Sequence, residues 1–247
     1  MKENLFGLDI ENLTMKDFVQ LIEQKINNQE PTHVLGVNAD KIVAMRNDAK
    51  LRNIMAYADI IHPDGISMIL ASRILKKRIR ERVAGIDLME ELLRLANDKE
   101  YTIYFLGSKD YILNKMIENL VEKYPDLKIL GFKNGYFSRE KWSNVADDLK
   151  SLKPHLVFIG ITSPKKEYLI DYLISQRVNT VFMGVGGSFD VLSGEIKRAP
   201  LWVQNYHLEW CFRLLQEPKR LFKRYFFGNL KFFKLIVQEK IKSTNNK

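Results

Sequence analysis

The chain has one cysteine in 247 residues. A disulfide framework is therefore excluded, and a reducing compartment is the expected setting. Cys211 lies in the apolar stretch LEWCFRLL and reads as a buried, unreactive thiol. No stretch reaches the roughly 18 apolar residues that a spanning helix needs. The opening MKENLFGLDIENL carries acidic residues and lacks the apolar core of a secretory signal, so a cytosolic or peripheral protein is expected. HExxH, G-x-S-x-G and the P-loop pattern are missing, and His33, His62, His155 and His207 are scattered, so no metal site is indicated. There is no internal repeat and no low-complexity tract.

What is present suits a folded enzyme-sized body. With 46% hydrophobic and 28% charged residues, the chain has material for a full core, in one large α/β domain or a domain with an appendage. The net charge of +9 is segregated: residues 1–195 hold 27 Lys/Arg against 27 Asp/Glu, and residues 196–247 hold 12 against 3. A local excess of this kind points to an anionic partner such as lipid headgroups, nucleic acid or a phosphorylated ligand.

Six short runs read as strands: HVLGV (33–37), DIIH (59–62), YTIYFLG (101–107), LKILGF (127–132), HLVFIGI (155–161) and NTVFMGV (179–185). Most are continuously apolar, as strands covered on both faces are. Between them lie helical periodicities. LTMKDFVQLIEQKI puts Met15, Phe18, Leu21, Ile22 and Ile26 on one stripe, and DLMEELLRLAND and DYILNKMIENLVEKY behave alike. The alternation predicts a Rossmann-like, mostly parallel sheet with helices on both faces over residues 1–195. Residues 196–247 read as a helical, basic appendage with breaks at Pro218 and Gly228-Asn229. There Phe222, Tyr225, Phe226, Leu230, Phe233, Ile236 and Val237 recur at helical spacing among Lys219, Arg220, Lys223, Arg224, Lys231 and Lys234. That pattern fits a helix lying on an anionic membrane surface. The plainer reading is a helix packing its stripe on the α/β body. Nucleic acid is not expected, because no recognition motif accompanies the charge.

Ligands of open α/β sheets bind beyond the carboxyl ends of strands, and five motifs fall there. In VNAD (37–40), Asp40 suits a helix cap and Asn38 is the better binding candidate. In HPDG (62–65), Asp64 stands between Pro63, which fixes φ, and Gly65, which allows an unusual one. Turn-and-cap chemistry and a catalytic base both fit Asp64. Arg80 and Arg82 precede the glycine and helix of RERVAGIDL (80–88), a setting that suits a diphosphate. In GVGGSFDVLSGEIKRAP (184–200) a glycine-rich turn at Gly184, Gly186 and Gly187 can bring amides to a phosphate or ribose; Ser188 suits a cap and Asp190 a ribose or base. Lys165 and Lys166 of GITSPKKE (160–167) can contact phosphate.

Taken in order, VNAD, HPDG, RVAGIDL, NGYF, SPKKE, GVGGSFDVLSGEIKRAP and LEWCFRLLQEPKR resemble the WecG/TagA/CpsF family of bacterial glycosyltransferases, glycosyltransferase family 26, over nearly the whole chain. The resemblance implies an inverting, metal-independent hexosyltransferase without a cofactor. Its donor would be a UDP-sugar, carrying N-acetylmannosamine or a related sugar. Its acceptor would be undecaprenyl-diphosphate-linked N-acetylglucosamine, in teichoic acid or surface-polysaccharide synthesis. The resemblance also implies a peripheral site on the inner face of the plasma membrane, held by the basic appendage, and a homodimer. It assigns Asp64 as general base and Arg82 to the donor diphosphate. Gly186, Gly187 and Asp190 fall at the nucleotide and Tyr136 at its base. Asn38, Lys166 and Glu167 fall at the substrate, and Arg213 and Arg220 on the appendage. Two positions depart from the teichoic-acid members: Gly36 replaces a threonine and Lys166 a glutamine, both expected to line the sugar pocket, so the donor sugar stays open. UDP-glucose and UDP-N-acetylmannosaminuronate are the alternatives within the family. Outside it stand a dinucleotide-dependent oxidoreductase, which the absence of G-x-G-x-x-G disfavours, and a non-enzymatic membrane-binding module.

Overall fold

A computed structural model describes residues 2–245, without the side chains of residues 220, 223, 224 and 243–245. It opens on an antiparallel hairpin, β1 (Lys2–Leu5) and β2 (Leu8–Glu11), joined by Phe6 and Gly7, both at positive φ (58° and 84°). The sequence reading missed this hairpin. Its strands are four residues each, and a Phe-Gly turn is not the usual Asn-Gly or Asp-Gly signal. Helix α1 (Met15–Asn27) then starts at a reciprocal cap: Thr14 Oγ1 accepts from Asp17 N, and an Asp17 carboxylate oxygen accepts from Thr14 N.

All six expected strands form, to within two residues at each end. They are β3 (Thr32–Val37), β4 (Ile60–Pro63), β5 (Thr102–Gly107), β6 (Lys128–Lys133), β7 (Leu156–Gly160) and β8 (Val181–Gly184). They make one all-parallel sheet in the order β4-β3-β8-β7-β5-β6. The intervening helices are α2 (Ala39–Ala44), α3 (Ala49–Ala56), α4 (Ile66–Ile74), α5 (Gly85–Lys99), α6 (Asp110–Lys123), α7 (Trp142–Leu152), α8 (Lys165–Ser175) and α9 (Ser188–Leu192). Strand alternation sends Val34, Ile60, Phe105, Phe158 and Met183 to the face covered by α1, α5, α6 and α9. Leu35, Val37 and Ile61 go to the opposite face, under α2–α4, as do Val157, Ile159 and Phe182, under α7 and α8. The β4 edge is not left open: Glu11 of the hairpin accepts from Ile61 N at 2.7 Å.

The described part of the C-terminal segment holds three helices and no strand: α10 (Leu201–Asn205), α11 (Glu209–Gln216) and α12 (Pro218–Asn245). Pro218 does mark a break, standing at the first position of α12, where its missing N–H has no partner to lose. Gly228-Asn229 does not: α12 runs through it for 28 residues. A glycine inside a helix costs only about 1 kcal/mol. Here it has a packing reason, since a Cβ on Gly228 would lie 3.0 Å from Asp40 Oδ1 of α2. The bare backbone lets α12 pass close to the Asp40 carboxylate of α2.

Helix α12 has two apolar faces. Leu221, Phe232 and Ile236 are buried, and the Phe232 ring meets that of Phe6 at 5.4 Å. Phe222, Phe226, Leu230, Phe233, Val237 and Ile241 form a second stripe, between 41% and 62% exposed. Trp202 and Tyr206 of the preceding segment are exposed too. Among the described residues, no helix is long and apolar enough to cross a membrane. Cys211, expected to be buried, is half-buried, because α11 lies on the surface of the body. Adjacent phenylalanines on α12 should therefore behave differently. Phe232→Ala should cost about 3–5 kcal/mol, whereas Phe233→Ala should stay within about 0.5 kcal/mol of wild type; urea denaturation followed by circular dichroism measures both.

Candidate functional site

The carboxyl end of β4 is tied to its neighbours by backbone bonds. Val37 O of β3 accepts from Asp64 N (2.9 Å) and Gly65 N (3.3 Å), and Pro63 O accepts from Val83 N (2.9 Å). Gly65 has ordinary extended torsions, φ −95° and ψ 144°, not the unusual φ expected. Glycine is required there for space: a Cβ would stand 3.0 Å from Asn38 Cβ. The Asp64 side chain does not cap the helix that follows it, for α4 starts at Gly65 without a side-chain cap. It reaches across to another helix. Asp64 Oδ1 accepts from Gly85 N, the first residue of α5, at 2.6 Å, and Oδ2 accepts from Asn38 Nδ2 at 3.3 Å. Arg82 Nε donates to Asp64 O at 2.9 Å. Burial pushes the Asp64 carboxyl up, but His62, the Gly85 N–H, Arg82 and Lys41 outweigh it and leave its pKa below the ordinary value. An ionised carboxylate at a helix N-terminus is the favourable arrangement.

Asn38, and not Asp40, caps α2: its Oδ1 accepts from Lys41 N at 3.2 Å. The same amide thus turns its oxygen to the helix and its nitrogen to Asp64. Of the two arginines, Arg80 is exposed and only Arg82 reaches the site.

Gly36 faces His62 across the β3–β4 pair. A Cβ on Gly36 would lie 2.7 Å from His62 Cε1 and 3.2 Å from Asp64 Cβ. The His62 ring therefore fills the volume that a threonine at residue 36 would need, and position 36 opens onto that ring instead of a pocket. His62 is fully buried, donates from Nδ1 to Val83 O at 2.9 Å and packs edge-on to Phe18. Burial holds its pKa below the usual value against the opposing pull of the Asp64 carboxylate, and its ring walls one side of Asp64.

Two strands along, about 10 Å from β4 at the usual strand spacing, lies the glycine-rich turn. Gly186 has φ +56°, a conformation that favours glycine. The Lys166 stem packs on Gly184, where a Cβ would meet it at 3.0 Å, and its Nζ would lie 3.6 Å from a Cβ on Gly186. Lys166 and Glu167 are buried, and Glu167 pairs with Lys41 at 2.9 Å. Burial raises the Glu167 pKa, but the Lys41 and Lys166 charges pull it down to about 2. Gly187 sits close to Asp190 and to Arg213 of α11. Burial pushes the Asp190 carboxyl up against the opposing pull of Arg213 and a hydrogen bond from Ser108. Ser188 does not cap; its Oγ donates back to Val185 O at 2.8 Å. Tyr136 is 72% exposed, on a loop held by Lys165, which donates to Phe137 O at 2.9 Å.

The expected residues thus fall into two linked groups. Asp64, Asn38 and Arg82 gather at the ends of β3 and β4. Gly186, Gly187, Asp190, Lys166, Glu167 and Arg213 gather at β8 and α11, with Tyr136 at the far rim. The side chain of Arg220 lies outside the described residues. Lys41, Ser108, the Gly85 amide and Glu209, which pairs with Arg82, were not foreseen. Ser108 directly follows a strand, a position that could have flagged it; Glu209 lies 127 residues from Arg82 and carried no such signal. Among the described residues, no group of His, Cys, Asp and Glu gathers that could hold a metal ion. A cleft of about 410 Å³ opens at the opposite end of the sheet, lined by Lys25, Lys150, Lys153 and Arg177. The C-termini of α1, α7 and α8 end there, and cations suit such termini without any ligand.

This geometry can be set beside known proteins. The Glycosyl transferase WecG/TagA/CpsF family matches residues 3–246. The chain belongs to this family. It is 31% identical over 219 residues to the N-acetylglucosaminyldiphosphoundecaprenol N-acetyl-beta-D-mannosaminyltransferase of Bacillus subtilis (strain 168), covering 88% of this chain and 85% of that one. The proteins of the same name from Bacillus spizizenii and Staphylococcus aureus (strain MW2) are 30% and 31% identical, over 86% and 89% of this chain and 82% and 87% of theirs. The Gly36–His62 contact has a direct test. Gly36→Thr should destabilise by about 1–3 kcal/mol through overpacking. Adding His62→Ala should recover part of that loss, seen as a coupling of about 0.5 kcal/mol or more in a double-mutant cycle by urea denaturation.

Proposed function

We propose that this family member is an inverting hexosyltransferase that moves N-acetylmannosamine, or a closely related sugar, from a UDP-sugar to undecaprenyl-diphosphate-linked N-acetylglucosamine. Its relatives, named as N-acetylmannosaminyltransferases acting on N-acetylglucosaminyldiphosphoundecaprenol, support the sugar and the acceptor, and teichoic acid or cell-surface polysaccharide synthesis is the setting that such an acceptor suits. The observation that carries the chemistry is the Asp64 carboxylate. It is ionised, half-exposed at the strand end, and braced by the Gly85 amide and Asn38.

A single displacement needs one base, on the acceptor side. Asp64 takes the proton from the acceptor hydroxyl as that oxygen bonds to the anomeric carbon, and the bond from that carbon to the diphosphate breaks. A positioned carboxylate contributes typically ~10²–10⁴-fold to such a step. The leaving UDP gathers negative charge, which Arg82, Arg213 and the amides of Gly186 and Gly187 answer. Asp190 faces the ribose and Tyr136 stacks on the uracil. Lys166, seated by Glu167, lies under the glycine-rich turn toward the sugar.

The acceptor is a lipid, and the outer stripe of α12 suits it. Apolar side chains from Phe222 to Ile241 stand exposed beside Lys219, Lys231 and Lys234. Each basic residue near an anionic bilayer adds about 1 kcal/mol. The enzyme then works as a peripheral protein on the inner face of the plasma membrane, its site turned to the lipid-linked acceptor.

Asp64→Asn should lower turnover by about 10²–10⁴-fold and leave UDP affinity within about twofold, measured by UDP release and by calorimetric titration; turnover near wild type would remove Asp64 from its role. The triple variant Phe222→Ser/Phe226→Ser/Phe233→Ser should lose most co-sedimentation with vesicles containing phosphatidylglycerol, with an unchanged melting temperature. Equal co-sedimentation would place the membrane contact elsewhere.

A further inference from the structure

Arg82 is committed in two directions. Its Nε holds the backbone carbonyl of Asp64 at 2.9 Å, while its Nη2 pairs with Glu209 in the first turn of α11. Both side chains of that pair are largely screened from water, 16% and 19% exposed. A guanidinium presents its donors in a fixed planar fork, and carboxylate and phosphate oxygens fit it in the same way. The resting protein therefore already carries an anion on the arginine assigned above to the donor diphosphate.

We propose that Glu209 is an internal competitor that occupies the diphosphate edge of Arg82 and must leave when the donor binds; this rests on the functional reading given above. With Nε held by Asp64 O, an incoming diphosphate left with the remaining edge would lie against the Glu209 carboxylate, like charge against like. Displacing Glu209 removes the ion pair that ties the first turn of α11 to Arg82. The same helix carries Arg213, beside Gly187 and Asp190, and Trp210, which is 43% exposed. Donor occupancy and the seating of the C-terminal segment are thus coupled through one ion pair. The coupling is reciprocal by linkage: whatever draws the Glu209 carboxylate off Arg82 with Arg213 left in place raises donor affinity, and donor binding weakens the Glu209–Arg82 pair by the same factor.

The test is equilibrium binding of UDP and of uridine to the full-length protein and four variants: Glu209→Gln, Glu209→Asp, Arg82→Ala and the double variant Arg82→Ala/Glu209→Gln. Glu209→Gln keeps the shape and removes the charge. Glu209→Asp keeps the charge and withdraws it by one methylene, and serves if the first variant is unstable. Both should bind UDP at least about fivefold more tightly than wild type, a modest coupling, and uridine equally well. In an Arg82→Ala background, Glu209→Gln should change nothing. UDP affinity that is unchanged or weaker in both Glu209 variants would overturn the proposal and make Glu209 a residue that positions Arg82. An equal gain for uridine would overturn it too, since the effect would then be general opening. UDP binding to none of the proteins, with their folds intact, would instead bring down the donor assignment on which the proposal stands.

Discussion

The hydrogen bond from Gly85 N to Asp64 Oδ1 joins three parts of the chain: the end of β4, the loop carrying Arg82, and the first turn of α5. A bond to an ionised acceptor is worth about 1.5–3 kcal/mol, and this one also answers an amide that α5 cannot satisfy itself. The carboxylate is therefore both a cap for a distant helix and the group proposed to take the acceptor proton. The two roles are compatible because Oδ1 takes the helix amide while Oδ2 is held only by a 3.3 Å bond from Asn38. Everything nearby serves to keep that geometry. Val37 O receives both amides of the turn, Pro63 O receives Val83 N, and His62 walls one side.

The glycines around the site mark where another group must come close. Gly36 makes way for the His62 ring, Gly65 for Asn38, and Gly184 for the stem of Lys166. Gly186 is there for its torsion, at φ +56°. This distinction matters for the donor. Positions 36 and 166, where the family resemblance led a threonine and a glutamine to be expected, differ in kind. The first is absorbed by packing, because His62 fills the space. The second puts a buried cation under the glycine-rich turn, with Glu167 and Lys41 beside it. Residue 166 is therefore the one of the two that stands against the glycine-rich turn.

The C-terminal helix joins stability to the proposed work at the membrane. Its inner face supplies Phe232 and Ile236 to the core that contains Leu35, Val37 and Ile61, so the segment with the charge excess is also part of the folded body. Its outer face keeps apolar side chains in water, which a helix used only for packing has no reason to do. The contacts of α11, through Glu209 to Arg82 and through Arg213 toward Asp190, connect that surface to the strand ends.

The sheet was legible because each of its strands is a short apolar run that announces itself locally, and helical stripes such as Phe18, Ile22 and Ile26 do the same. The hairpin was not, since strands of four residues with a Phe-Gly turn leave no periodic trace. The strand-end rule and the family motifs together brought out Asp64, Asn38, Arg82 and the glycine-rich turn. Local sequence alone left Asp64 divided between cap and base. The tertiary structure decided that it caps nothing in its own helix and reaches Gly85, 21 residues away. It also decided that Asn38 is the cap, that Gly228 lies within a helix, and that Glu209 meets Arg82 across 127 residues. Periodicity and turn chemistry are properties of neighbouring residues, and a linear sequence displays them. Which side chains meet across a sheet depends on how strands are ordered and how closely helices dock, and only the packed chain fixes those.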